Sequence, residues 1–110
     1  MIQAVLKMHF APDKVAEALT ILHSIVERIR ATRGCIDCSV FQESGNRCLV
    51  VFEEKWKSET DLQSHLRSDD YRKILLVVEM ADAHPEIRFE TVATFGGVEI
   101  IEGARSKLEQ

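Results

Sequence analysis

The sequence predicts an α+β domain of the ferredoxin-like kind, β-α-β-β-α-β, in which a four-stranded antiparallel sheet carries its helices on one face. Three observations predict it. Side chains alternate with a period of two in four segments. Apolar residues recur at helical spacing in the two regions that separate the first strand from the second and the third from the fourth. Turn-forming residues stand where the period changes: Pro12-Asp13, Ser44-Gly45-Asn46, His84-Pro85 and Gly96-Gly97.

Ile2, Ala4, Leu6, Met8 and Phe10 share one face of the first strand, and Gln3, Val5, Lys7 and His9 share the other. Val15, Ala18, Leu19, Leu22, Ile25, Val26 and Ile29 then recur at helical spacing over about four turns. Arg28, Arg30 and Arg33 load its C-terminal end, where cations suit the helix dipole, and Gly34 stops it. A hairpin runs from Ile36 to Glu43 and from Arg47 to Lys55. Ser58-Glu59-Thr60-Asp61 resembles a capping box with Asp in place of Glu and opens a second helical region on Leu62 and Leu66. Ser68-Asp69-Asp70 caps a further piece through Tyr71, Ile74, Leu75, Val78 and Ala81, with a bend between the two. A last strand is expected from Glu86 to Phe95. Residues 1–96 therefore form one domain, and residues 97–110 read as a tail with one short apolar run.

Apolar residues fall on both faces of the strands. Val5 opposes Leu6, Phe41 opposes Val40, and Val51 opposes Val50 and Phe52. Helices on one side leave the other apolar face in water, which marks an interaction surface. Packing against the sheet of a second copy removes it, so a homodimer is expected, with Val98–Ile101 placed to cross to the partner.

Composition narrows the function classes. The 110 residues suit one domain. A net charge of −4 leaves no basic surplus for nucleic acid. No apolar run approaches the ~20 residues of a membrane span, and MIQAVLKMHF lacks the features of a signal peptide, so a cytoplasmic protein with no membrane association is expected. The three cysteines make no disulfide framework. Cys35 and Cys38 form a CxxC, but a strand rather than a helix comes after it, and no second Cys pair completes a zinc set. Buried packing is the expected role and no metal site is expected.

The stretch VVFEEKWKSETDLQSHLRSDDYRKIL resembles the signature of the antibiotic-biosynthesis-monooxygenase superfamily. An apolar strand leads to Glu53 or Glu54, then Trp56 at the strand end, Ser58 at the helix start, Leu62 and His65. The resemblance covers residues 1 to about 95. It implies a dimeric α/β barrel and, for some relatives, oxidation of phenols or quinols by O₂ without a cofactor. Haem-degrading relatives carry a Trp near the place of His65 and an iron-binding His about three turns on. That later place falls near Leu75, and DYRKILLVVEMAD holds no His, so haem is not expected.

Such chemistry needs a base, an apolar cavity and donors for the substrate anion. His65 is the expected catalytic base. Its other readings are pocket lining and a hydrogen bond at the rim. Trp56, Tyr71 and His9 are the candidate substrate-binding residues. The alternative for Trp56 and Tyr71 is packing, and for His9 it is a solvated strand face. A second residue orienting His65 is not apparent. The expected function is a cofactor-free monooxygenase acting on a small aromatic or quinol-like compound. The alternative is a non-catalytic small-molecule-binding or stress-related dimer of the same fold.

Overall fold

The computed structural model describes residues 1–108. The elements are β1 (Ile2–His9), α1 (Val15–Arg30), β2 (Cys35–Glu43), β3 (Asn46–Trp56), α2 (Glu59–Leu66), α3 (Asp69–Met80), β4 (Glu86–Thr91) and α4 (Val98–Leu108). The strands form one open sheet in the order β2-β3-β1-β4, and every neighbouring pair is antiparallel. This is the ferredoxin-like arrangement, with its second helical region split in two.

The strand alternation decides which face is covered. Ala4, Leu6 and Met8 of β1, Phe10 just after it, and Val50, Phe52, Glu54 and Trp56 of β3 all point into the helix layer and are buried. Ala18, Leu22, Ile25 and Ile29 of α1, with Ile74 and Val77 of α3, close the core from above. Each Val, Leu, Ile, Met or Phe side chain buried in this way contributes roughly 1.5–3 kcal/mol.

Serine caps set the start of both short helices. Ser58 Oγ accepts from the Asp61 backbone N–H at 3.2 Å, and Ser68 Oγ accepts from that of Tyr71 at 3.2 Å. The Ser68 hydroxyl also donates to the His65 carbonyl at 2.6 Å, which fixes the bend between α2 and α3. Gly34, at φ +86°, ends the α1–β2 connection beneath Asp61, whose side chain occupies the space a β-carbon would need.

Two differences from the sequence reading have simple causes. The last strand stops at Thr91 rather than Phe95. Val92 still donates to the Met1 carbonyl at 2.9 Å, and the β1–β4 register ends at the Ile2–Thr91 pair. The C-terminal segment is a helix rather than a tail. Val98, Ile101 and Ala104 recur near helical spacing, and the Glu99 carboxylate accepts from the Gly97 N–H at 2.8 Å.

The second face of the sheet carries no helix. Val5, Leu49 and Val51 are half-buried there and Phe41 is exposed, interleaved with Lys7, Glu53, Lys55 and Arg88. Among the described residues no helix is long and apolar enough to cross a membrane.

Candidate active site

Four side chains meet under α2. Glu54 and Trp56 lie on the covered face of β3, His65 lies on α2 and Tyr71 on the first turn of α3. His65 Nε2 faces Glu54 Oε2 in a buried histidine–carboxylate pair, and each residue is 2% exposed. The imidazole stacks on Trp56, with ring centroids 4.6 Å apart and planes 28° from parallel. Tyr71 meets the imidazole edge-on at 5.3 Å and 83°. A buried carboxylate is costly alone, so pairing it with His65 is what permits it in this core.

The strand register makes room for the pair. The residues directly beside Glu54 are Ala4 on β1 and Cys38 on β2. Both are small, which leaves space for a carboxylate and an imidazole between sheet and helix. Asp70, next to Tyr71 in α3, pairs with Arg28 of α1 at 2.9 Å. Burial, and next the charge of Glu54, push the Tyr71 hydroxyl above its ordinary pKa. Among the described residues the buried Trp56 indole Nε1 has no hydrogen-bond partner.

The sequence reading found no partner for His65, and the structure supplies Glu54. Its signal was present: Glu54 continues the buried series Val50, Phe52 and Trp56, whereas Glu53 points to the other face beside Lys55. His9 stands apart from the cluster. It lies at the opposite end of β1 from the Ile2–Trp56 pair, is exposed, and holds both carboxylate oxygens of Asp82 at 2.9 Å from Nδ1.

The cleft nearest the cluster lies between α2 and the β1–β4 end of the sheet. Ile2, Glu59, Leu62 and Phe89 line it, and its volume is about 220 Å³, enough for one small ring. Leu62 is one turn before His65, and Ile2 is the register partner of Trp56. A depression between α1 and β2, lined by His23, Val26, Arg30 and Val40, contains none of the four clustered residues.

Among the described residues no three Cys, His, Asp or Glu side chains gather to hold a metal. Cys35, Cys38 and Cys48 are free thiols. Burial, then the Glu54 charge, raises the Cys35 thiol from its ordinary 9.0 to about 11, and the same causes raise Cys38 further. Both are poor thiolates, and thiolates are the nucleophile and the metal ligand.

The four-stranded antiparallel sheet with its helices on one face puts the chain in the ferredoxin-like class. The family described as Antibiotic biosynthesis monooxygenase matches residues 1–75, and the chain belongs to that family. Its membership points to a monooxygenase-type function. A conserved protein from Methanosarcina mazei Go1 is 34% identical, with 84% of this chain and 92% of that chain covered and a TM-score of 0.77. A solved antibiotic biosynthesis monooxygenase is 17% identical over 86% of this chain and 100% of that one, with a TM-score of 0.76. Rv0793 from Mycobacterium tuberculosis is 16% identical over 87% and 98%, with a TM-score of 0.78. The last two likenesses show the fold alone. No curated protein matches the chain significantly.

Proposed function

We propose that this chain is a homodimeric monooxygenase that oxidises a small phenol or quinol with O₂ and without metal, flavin or haem. The observation that carries this reading is the buried Glu54–His65 pair stacked on Trp56. In this reading His65 is the base that removes a hydroxyl proton, and Glu54 orients its imidazole. Deprotonation makes the ring electron-rich enough to reduce O₂. One oxygen atom enters the ring, and the other leaves as water with the two hydrogens lost. Hydroquinone plus O₂ thus balances as hydroxyquinone plus water. Trp56 and Tyr71 supply flat aromatic walls and the Trp56 N–H is a donor for a substrate oxygen. The cleft beside Leu62 and Phe89 is the proposed entry for the ring.

The dimer is supported by the uncovered sheet face, where Val5, Leu49, Val51 and Phe41 form an apolar area that a second sheet would cover. Sedimentation equilibrium tests it. A species of one chain at all concentrations removes the dimer.

A second reading rests on the near-complete burial of His65. A histidine sealed by Trp56 and Tyr71 suits a core pair in a non-catalytic binding protein. An oxygen-electrode screen of quinols and polyphenols separates the two. The monooxygenase reading expects uptake that falls about 10²-fold or more in His65→Ala. Equal rates in both proteins remove His65 from the mechanism, and no uptake with any compound favours the binding reading.

A further inference from the structure

We infer that α4 is an exchanged arm: in the dimer its apolar side packs on the bare helix-side strip of β4 in the second copy. The inference rests on the homodimer proposed above and goes beyond it by naming the two surfaces that meet.

Each chain carries both surfaces, and neither is buried within the chain; Phe89 also lines the mouth of the cleft beside Leu62, so the partner's arm would border that mouth. Ile87 and Phe89 of β4 pair with Leu6 and Ala4, so they point to the face that the helices cover elsewhere. The helix layer stops short of this edge strand, and the two side chains stay 49% and 47% exposed. On α4, Val98, Ile100, Ile101 and Ala104 occupy one side of the helix, and Val98 and Ile101 are 65% and 61% exposed. None of the substantially packed pairs of elements includes α4. An isolated helix of eleven residues is marginal in water, so its stability calls for a partner surface.

The arm is aimed away from its own body. A domain of this length has a radius of gyration of about 13 Å, whereas this chain has 16.9 Å and extents of 54 × 35 × 23 Å. The elbow is built rather than slack. Ile100 packs where a side chain on Gly96 would stand, and the Glu99 carboxylate holds the Gly97 N–H.

The chemistry of α4 selects the occupant. Its charged residues are Glu99, Glu102, Arg105 and Lys107, two of each sign. It therefore lacks the basic face that an anionic membrane or a nucleic acid would need. One arm and one bare strip per chain are satisfied together by a two-fold exchange, with neither left over. The arm also leaves from the edge strand of the sheet whose open face is the proposed seam.

The test places a photo-reactive benzoylphenylalanine at position 101 of the full chain and mixes ¹⁴N- and ¹⁵N-labelled protein before irradiation. Digestion at glutamates then separates α4 from β4. The expected product joins α4 of one label to the β4 strip of the other. Products of a single label only mean that the arm folds back on its own chain, and mixed-label products on α3 near Leu75 and Leu76 mean a different seat. Either result overturns the inference while leaving the dimer. As a second measurement, Val98→Glu/Ile101→Glu should weaken the dimer at least tenfold with an unchanged melting temperature of the subunit core. An unchanged dimer affinity overturns the inference. A full chain that sediments as one subunit removes the dimer and the exchange together.

Discussion

The His65 imidazole lies on the Trp56 indole at a centroid distance of 4.6 Å, and its Nε2 faces the Glu54 carboxylate. Strand β3 thus supplies both the surface beneath the histidine and the charge beside it, from two positions on one strand face.

Removing one member of the pair leaves the other uncompensated. His65→Ala is expected to cost about 3–5 kcal/mol of stability, and Glu54→Ala a similar amount. A double variant with leucine at both positions should recover most of that loss. Urea unfolding of the three proteins checks this. If the double variant is as unstable as either single one, a buried charge left unpaired is not the source of the cost.

Oxygen uptake separates stability from chemistry. Glu54→Gln keeps the shape and loses the charge. With a quinol that the wild type oxidises, kcat should fall about 10–10²-fold while KM changes little, because in the proposed mechanism the residue positions the base and does not touch substrate. A loss confined to KM would place Glu54 in substrate binding instead.

Stability should decline in alkali. The Tyr71, Cys35 and Cys38 groups have raised pKa values in the folded protein. Below their unfolded values, about 8.5 for Cys and about 10 for Tyr, both states are protonated and the contribution is fully present. Above those values the unfolded chain loses its protons first, so stability falls until the folded groups also ionise. Urea midpoints from about pH 7 to 11 should therefore drop from about pH 8.5 upward. Tyr71→Phe should flatten the part of that fall above about pH 10.

The cysteines should be sluggish. Raising the Cys35 thiol from 9.0 to about 11 lowers its thiolate fraction near neutral pH about 100-fold. Alkylation by iodoacetamide at about pH 7.5, with mass analysis, should modify Cys35 about 10²-fold more slowly than a free cysteine. Cys38, fully buried, should react only on unfolding. Rapid modification of either would revive a redox role for the CxxC.

Gly34→Ala puts a β-carbon at positive φ and against Asp61. A loss of about 1–2 kcal/mol is expected from the backbone alone. Chemical denaturation measures it. Asp61→Ala in the same background should return part of the loss, since it clears the contact but not the conformation.

Much of the fold was legible because alternation and caps are local. The covered series on β1 and the helix starts at Ser58 and Ser68 are each decided by a few neighbouring residues, whereas α1 ends at Arg30, four residues before the glycine expected to stop it. Glu54 was legible as an inward position but not as a tolerated one. Its tolerance depends on His65, which arrives from another element, and on the smallness of Ala4 and Cys38 on the flanking strands. The end of β4 depended on its register with β1, which pairs Ile2 with Thr91. The helical spacing of α4 was visible, but its short apolar run offered no surface of its own chain to pack on.

The single hydroxyl of Ser68 donates to the carbonyl of His65 and accepts from the amide of Tyr71. Any excursion that swings α2 off the sheet must therefore drag the first turn of α3 with it. The imidazole and the phenol travel as one rigid flap, and the amide protons of that turn should exchange with deuterium at a common rate.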